Sequence, residues 1–340
     1  MFISVEGRRQ EVPLIVLCLG VSKVSMCANQ RLFLKGGNNM NANCLSLRKA
    51  HFFLIIFAAV MLITSSYAAE TPQPAMAKFY DVVREAAPGL PGYTVYRPVN
   101  LTSDIEGRLP IVVWSNGACT ISNDGYVYFL TQIAAHGFVV VAFGAPDFHA
   151  NPNGIAVADR LTKAIDWATS PPGHGGPAYF NQLDASKVAT MGHSCGGIDS
   201  IWTGTHDPRV KSVVSLNSGC FPVGSGGGMS GPLADCRPFL PYLYGPAIFI
   251  AGGTSDVAYN NSLANYDLVT TVPAVFASQA TAGHGGFYGT ASRTIQLQAV
   301  QAVVDWLDGI LNGNMESLEF VIGPDGLSQI SGWTVQSKGF

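Results

Sequence analysis

Apolar residues fall in short, nearly unbroken runs separated by stretches with helical spacing, and this alternation dominates the chain. Pro110–Ser115 (Pro-Ile-Val-Val-Trp-Ser), Phe138–Phe143, Lys187–Met191, Val210–Leu216, Ala247–Ala251 and Ala274–Ala280 are mostly apolar along their length rather than at every second position. That pattern predicts strands buried on both faces. Between them, Gly125–His136 places Tyr126, Phe129, Leu130, Ile133 and Ala134 on one helical face and stops at Gly137. Asp159–Ala168, the stretch from Ser194 to about Thr205, Tyr259–Val269 and Thr290–Leu311 read as further helices, and Tyr93–Arg97 as an edge strand before Pro98. Strands alternating with helices predict an α/β fold, a mostly parallel central sheet with helices on both faces. The remainder, Glu316–Phe340, is expected to be a tail with a Gly323-Pro324-Asp325-Gly326 turn, packed on the core as a hairpin.

The N-terminal part follows a different logic. Arg48 and Lys49 precede a twelve-residue apolar run, Phe52–Ile63, and then Ser66-Tyr67-Ala68. This is the pattern of a secretory signal peptide, and the run falls short of the roughly 20 residues a spanning helix needs. With Met40 at a suitable distance upstream, residues 40–68 are expected to be the leader, 1–39 an extension ahead of the true start, and 69–340 one α/β domain. Leu14–Val21 is also apolar, but it is short and follows Pro13. Cleavage after Ala68 leaves 272 residues with 12 basic against 20 acidic groups, hence a formal charge of −8. Such a balance argues against nucleic acid as a partner. With 12% charged residues and 38 glycines in the whole chain, a loop-rich globule that is secreted or periplasmic is expected, monomeric by default.

Of seven cysteines, Cys119, Cys195, Cys220 and Cys236 lie beyond the leader. In an oxidising compartment an even number invites disulfides. Cys220 and Cys236 bracket the Gly/Pro/Ser-rich stretch Phe221–Asp235 and are expected to pair, contributing roughly 3 kcal/mol in the chain-entropy model. The bracketed loop is a candidate lid or substrate wall. Cys119 and Cys195 fall on two segments expected to meet, and a second bridge and two buried thiols are equally compatible with the sequence.

The segment that carries chemistry is Gly192-His193-Ser194-Cys195-Gly196, between the run Lys187–Met191 and a helix. A serine flanked by glycines on a strand-to-helix turn is a nucleophile elbow. Its hydroxyl needs a base, and the base an orienting acid. Asp256 follows the strand Ala247–Ala251 through Gly252-Gly253-Thr254-Ser255, and His284 sits in Ala282-Gly283-His284-Gly285-Gly286 after the next strand. Both are at strand carboxyl ends, where open α/β sheets place function. The amide of Cys195, just after the nucleophile, and that of Ala118, after Pro110–Ser115, are the expected oxyanion donors, with Cys119 as the substitute for Ala118. His193 is expected to pack or hydrogen-bond beneath the elbow, His136 to meet a helix end, His149, His174 and His206 to lie in surface loops, and Asp199 and Asp207 to be solvated. No histidine pair has ligand spacing and the cysteines are scattered, so neither metal nor cofactor is expected.

On Ser115-Asn116-Gly117-Ala118, His136-Gly137-Phe138-Val139-Val140, the elbow with Gly197, Thr254-Ser255-Asp256 and Gly283-His284, the chain resembles the α/β-hydrolase superfamily from about Tyr93 to Asn312. Within it the chain is similar to the secreted dienelactone-hydrolase-like esterases that include cutinase-type polyester hydrolases and the chlorophyllase-like group. The resemblance implies Ser194 as nucleophile, His284 as base, Asp256 as orienter, and the amides of Ala118 and Cys195 as oxyanion hole. Polyester hydrolases usually carry an aromatic residue where this chain has Ala118 and a methionine where it has Cys195. The expected activity is hydrolysis of a small or polymeric carboxylic ester through an acyl-enzyme. Acyl transfer from the same intermediate, and a non-catalytic binding protein on this scaffold, are the alternatives.

Overall fold

The computed structural model describes residues 79–101, 107–146, 155–170, 179, 181–225 and 232–340. All lie in the larger of two compact units, Glu70–Phe340. The expected extension 1–39 and leader 40–68 fall outside the described residues.

The apolar runs pair into one sheet. In chain order its strands are β1 (Val82–Ala86), β2 (Tyr93–Pro98), β3 (Leu109–Ser115), β4 (Val139–Phe143), β5 (Leu183–His193), β6 (Val210–Leu216), β7 (Ala247–Ala251), β8 (Ala274–Gln279) and β9 (Trp333–Lys338). They lie in the order β1-β2-β4-β3-β5-β6-β7-β8-β9. The neighbours from β4 through β8 are parallel, and antiparallel pairs occur at the two margins, β1 with β2, β2 with β4, and β8 with β9.

Among the described residues six α-helices flank the sheet: α1 (Val127–Ala135), α2 (Arg160–Thr169), α3 (Cys195–His206), α4 (Tyr259–Leu268), α5 (Arg293–Leu307) and α6 (Met315–Ile322). Successive strand residues point to opposite faces. In β3, Ile111 and Val113 join Leu161 and Ile165 of α2 and Ile198 and Ile201 of α3 in one core. Val112 and Trp114 join Phe129 and Ile133 of α1, Val303 and Trp306 of α5 and Val321 of α6 in the other. A strand with helices on both sides has no solvated face, which is why its sequence does not alternate.

Three expectations at the margins are corrected. Tyr93–Arg97 is not an edge strand, because β1 pairs outside it from Val82↔Pro98 to Ala86↔Thr94. Tail residues 316–340 do not form a hairpin. Asn314 caps α6 by accepting from the Glu316 and Ser317 amides, and β9 then adds antiparallel to β8. The long helix expected over 290–311 begins at Arg293, where Ser292 accepts from the Ile295 amide, and after Leu307 widens into a five-residue π turn ending at Gly313, φ 74°. No helix among the described residues is long and apolar enough to cross a membrane.

The core yields a stability prediction. Phe249 on β7 is fully buried, whereas Leu297 on α5 is 44% exposed. Phe249→Ala should lower unfolding free energy by about 3–5 kcal/mol, and Leu297→Ala by less than about 0.5 kcal/mol. Denaturant titration of both variants checks the ranking.

Candidate active site

The elbow is a backbone feature first. Between the last residue of β5 and the first of α3, Ser194 adopts φ 53°, ψ −116°. A non-glycine residue in such a conformation costs on the order of 1–3 kcal/mol and needs its surroundings to hold it. Here the Ser194 amide donates to the Leu216 carbonyl at 3.0 Å, and the Ser194 carbonyl accepts from the Gly197 amide at 2.9 Å and from the Ser218 hydroxyl. The flanking glycines are required by space. A Cβ on Gly192 would lie 2.2 Å from the Gly196 carbonyl oxygen, and one on Gly196 would lie 1.9 Å from that of Ser115.

This turn aims the Ser194 hydroxyl at His284, whose Nε2 is 3.0 Å from Oγ. On the other side of the ring, His284 Nδ1 is 2.7 Å from Asp256 Oδ1. Asp256 also accepts from the Ala258 amide at 3.0 Å on Oδ1, and from the Gly252 amide at 2.9 Å and Asn217 Nδ2 at 2.8 Å on Oδ2. Burial by itself would raise its carboxyl, but the bonds from His284, the two amides and Asn217 outweigh burial and hold it at about 2. An ionised Asp256 accepts a hydrogen bond from Nδ1–H, which keeps the proton on Nδ1 and leaves Nε2 free to accept from Ser194. The structure brings these three residues together in the chain order Ser, Asp, His, each just beyond the carboxyl end of a strand.

The opposite wall is the loop after β3. Trp114 Nε1 donates to Asn116 Oδ1 at 2.8 Å, and Asn116 Nδ2 donates to the Phe143 carbonyl at 2.8 Å, which fixes where the loop begins. Next, Ala118 and Cys119 both sit at φ 52°. Cys119 is bonded through its sulfur to Cys195, with Cα atoms 5.3 Å apart, so the sequence's open alternative resolves as a disulfide. Cys220 and Cys236 are paired as expected, Cα atoms 5.5 Å apart. The first N–H groups of a helix lack intrahelical partners, and the Cys195 amide is one of them at the start of α3.

A family model described as PETase: PET hydrolase-like matches residues 64–219. The matched span contains β1 to β6 and the elbow. The sheet and its flanking helices have the α/β-hydrolase fold, and the chain is similar to this family over the matched span. Its relatives include Cutinase est2 of Thermobifida alba, 29% identical over 133 residues, covering 39% of this chain and 41% of that protein. Cutinase cut1 of Thermobifida fusca is 26% identical over 133 residues, covering 39% of this chain and 38% of its own. Hydrolase LUC6 of Fusarium sp is 29% identical over 119 residues, covering 33% of this chain and 27% of its own. The chain thus spans less than half the length of each of these relatives.

Within this fold His193 has a more specific place than its sequence position announces. Its Nε2 is 2.8 Å from the His284 carbonyl, which can only accept, so Nε2 carries the proton. Nδ1 therefore accepts from the Tyr126 hydroxyl at 2.8 Å, and the Tyr126 oxygen accepts from the Gly117 amide at 3.0 Å. One neutral imidazole joins the loop after β3 to the loop that carries His284. Burial favours that neutral form and pushes the ring down to about 4. Tyr126, Asn217 and Tyr288, whose hydroxyl reaches Asn217 Oδ1 at 3.4 Å, were not singled out in the sequence. Asn217 carried a usable signal, since it directly follows a buried strand at the same end of the sheet as Asp256.

Two carboxylates expected in solvent are buried. All of α3 except Trp202 and His206 is buried, so Asp199 points into protein. Burial pushes it up to about 8, and the nearby Ser115 hydroxyl and Arg160 offset this in part without a well-formed hydrogen bond to either oxygen. Asp207, just after α3, is covered by Arg209, which donates to it from Nε at 2.9 Å and Nη2 at 2.6 Å. Neither approaches His284. His206 ends α3 stacked on Trp202 at 3.7 Å rather than lying in a loop, and His136 Nδ1 meets the Gln132 carbonyl at the end of α1. His149, His174 and 226–231 of the glycine-rich loop lie outside the described residues.

The His193 network predicts a pH dependence. The folded ring titrates near 4 and an unfolded one near 6.5, so the unfolded chain binds more protons between those values. The stability His193 contributes is complete above about pH 6.5 and is lost as pH falls toward 4. Denaturant unfolding at pH 7 and pH 4.5 should show a shallower loss for His193→Gln than for the parent; parallel losses would remove His193 from the account.

Proposed function

We propose that this α/β-hydrolase is a serine carboxylic-ester hydrolase. The observation that carries the reading is the continuous relay from Ser194 Oγ to His284 Nε2 at 3.0 Å and from His284 Nδ1 to Asp256 at 2.7 Å, ending on a carboxylate held ionised. As the Ser194 oxygen attacks the ester carbonyl, His284 takes its proton and becomes an imidazolium that Asp256 stabilises and orients. The carbonyl electrons move onto oxygen, which meets the Cys195 amide and the Ala118 amide. Collapse expels the alcohol with the proton returned by His284, leaving an acyl-enzyme on Ser194. Water then repeats the sequence, with His284 as its base, and releases the acid.

The substrate class is a carboxylic ester, in keeping with the relatives named as cutinases. Two disulfides support a site of action outside the cytoplasm, either secreted or periplasmic, with residues 40–68 as the leader and 69–340 as the functional domain.

The test is hydrolysis of p-nitrophenyl esters from acetate to palmitate by the purified protein. Ser194→Ala should lower kcat roughly 10^4- to 10^6-fold, and Asp256→Asn about 10^4-fold, each with the fold intact. A folded wild type inert on every ester, or activity that survives Ser194→Ala, would overturn the reading.

A further inference from the structure

The disulfide between Cys119 and Cys195 occupies an unusual place. It joins the residue that follows the nucleophile to the loop that carries the second oxyanion donor, two segments 76 residues apart in sequence. We propose that this bond is a positioning element of the oxyanion hole, holding the Ala118 amide in register with the Cys195 amide. The proposal rests on the serine-hydrolase reading.

Three observations carry it. Ala118 and Cys119 are consecutive non-glycine residues at φ 52°, a conformation that relaxes unless something holds it. Burial does not hold them, because Ala118 is exposed and Cys119 only half-buried, while Cys195 is buried and fixed at the start of α3. The remaining ties on the loop act on residues around the pair or from another side. Arg160 Nη1 donates to the Cys119 carbonyl at 3.0 Å from α2, the Thr120 amide closes the turn onto the Gly117 carbonyl at 3.1 Å, and Gly117, which precedes the strained pair, is joined to the elbow through Tyr126 and His193. The sulfur bridge is the bond that joins the strained pair itself to the residue after Ser194. The Cys220–Cys236 bridge, 16 residues apart in sequence and with neither cysteine in the loop after β3 or the elbow, is the natural control.

An oxyanion donor acts on the transition state far more than on bound ester, so its displacement appears in kcat. The variant Cys119→Ala/Cys195→Ala should lower kcat about 10^2-fold with KM changed by less than about threefold. Its affinity for an alkyl trifluoromethyl ketone, which adds Ser194 to give a tetrahedral oxyanion, should fall by a similar factor. Cys220→Ala/Cys236→Ala should lower the melting temperature while kcat stays within about twofold. A second route needs no change at the elbow. In the Cys220→Ala/Cys236→Ala background, dithiothreitol passes two electrons to the Cys119–Cys195 bond and closes to its own cyclic disulfide, and its two thiol protons end on the freed cysteines. Measured while circular dichroism still reports the native fold, activity should drop by the same factor and return on reoxidation. Unchanged kcat in either arm, with wild type active and Ser194→Ala inactive, overturns this proposal alone. A wild type inert on every ester overturns both this proposal and the reading on which it rests.

Discussion

The backbone at Ser194 is the constraint on which the site depends. To expose its hydroxyl, the chain must pass from a buried strand to a buried helix in one residue at φ 53°, ψ −116°. The turn brings Gly196 against the Ser115 carbonyl and Gly192 against Gly196 itself, so β3, β5 and α3 are locked at distances that admit no side chain. One three-residue stretch at the end of β6, 216–218, serves both halves of the site. Leu216 and Ser218 hold the two ends of the Ser194 peptide, while Asn217 between them donates to Asp256 and to the Gly283 carbonyl. Ser194 and Asp256 are thus referenced to one point on the sheet although 62 positions separate them.

Electrostatically, the site keeps a single strong charge where it is useful. Asp256 is buried yet ionised, because four donors converge on it. Its neighbour His193 is buried and neutral, and its two ring nitrogens are both committed, one to Tyr126 and one to the His284 carbonyl. A second positive ring here would compete, in the proposed mechanism, with the imidazolium formed on His284 for the same carboxylate. Burial of His193 removes that competition and makes the ring a spacer between the two loops.

Much of this was legible in the sequence, and the reasons are specific. The unbroken apolar runs from Pro110 to Ala280 announced a parallel sheet because helices on both faces leave no polar side. Ser194, Asp256 and His284 were legible because each stands in a glycine-bearing loop just after such a run. What was not legible depends on long-range pairing. β1, Val-Val-Arg-Glu-Ala, carries no pattern of its own and becomes a strand because β2 offers a free edge. β9 and α6 were hidden behind a turn signal at 323–326 that suggested a hairpin, whereas the chain uses that region to return to the free side of β8. Asp199 looked like a surface residue because helix α3 has a low apolar contrast, with Gly, Ser and Thr on faces that are in fact enclosed. Small residues let α3 approach the sheet closely, and that approach, invisible in a hydrophobic count, buried the carboxylate.

The disulfide at the elbow follows from the same closeness. In the polyester hydrolases that this chain resembles, the positions of Ala118 and Cys195 usually hold an aromatic residue and a methionine. Here the first has shrunk to a methyl group, and the second has its sulfur bonded to Cys119. A small residue beside the oxyanion leaves the loop after β3 with little side-chain packing of its own, yet that loop holds two consecutive residues at φ 52°. An exposed left-handed pair is held by bonds rather than by packing: the Thr120 amide closes the turn onto the Gly117 carbonyl at 3.1 Å, and the sulfur bridge ties the pair to the elbow. On the proposed reading the two positions act together: with only a methyl group at Ala118, the loop after β3 owes its place beside the elbow in part to the sulfur bridge to Cys195.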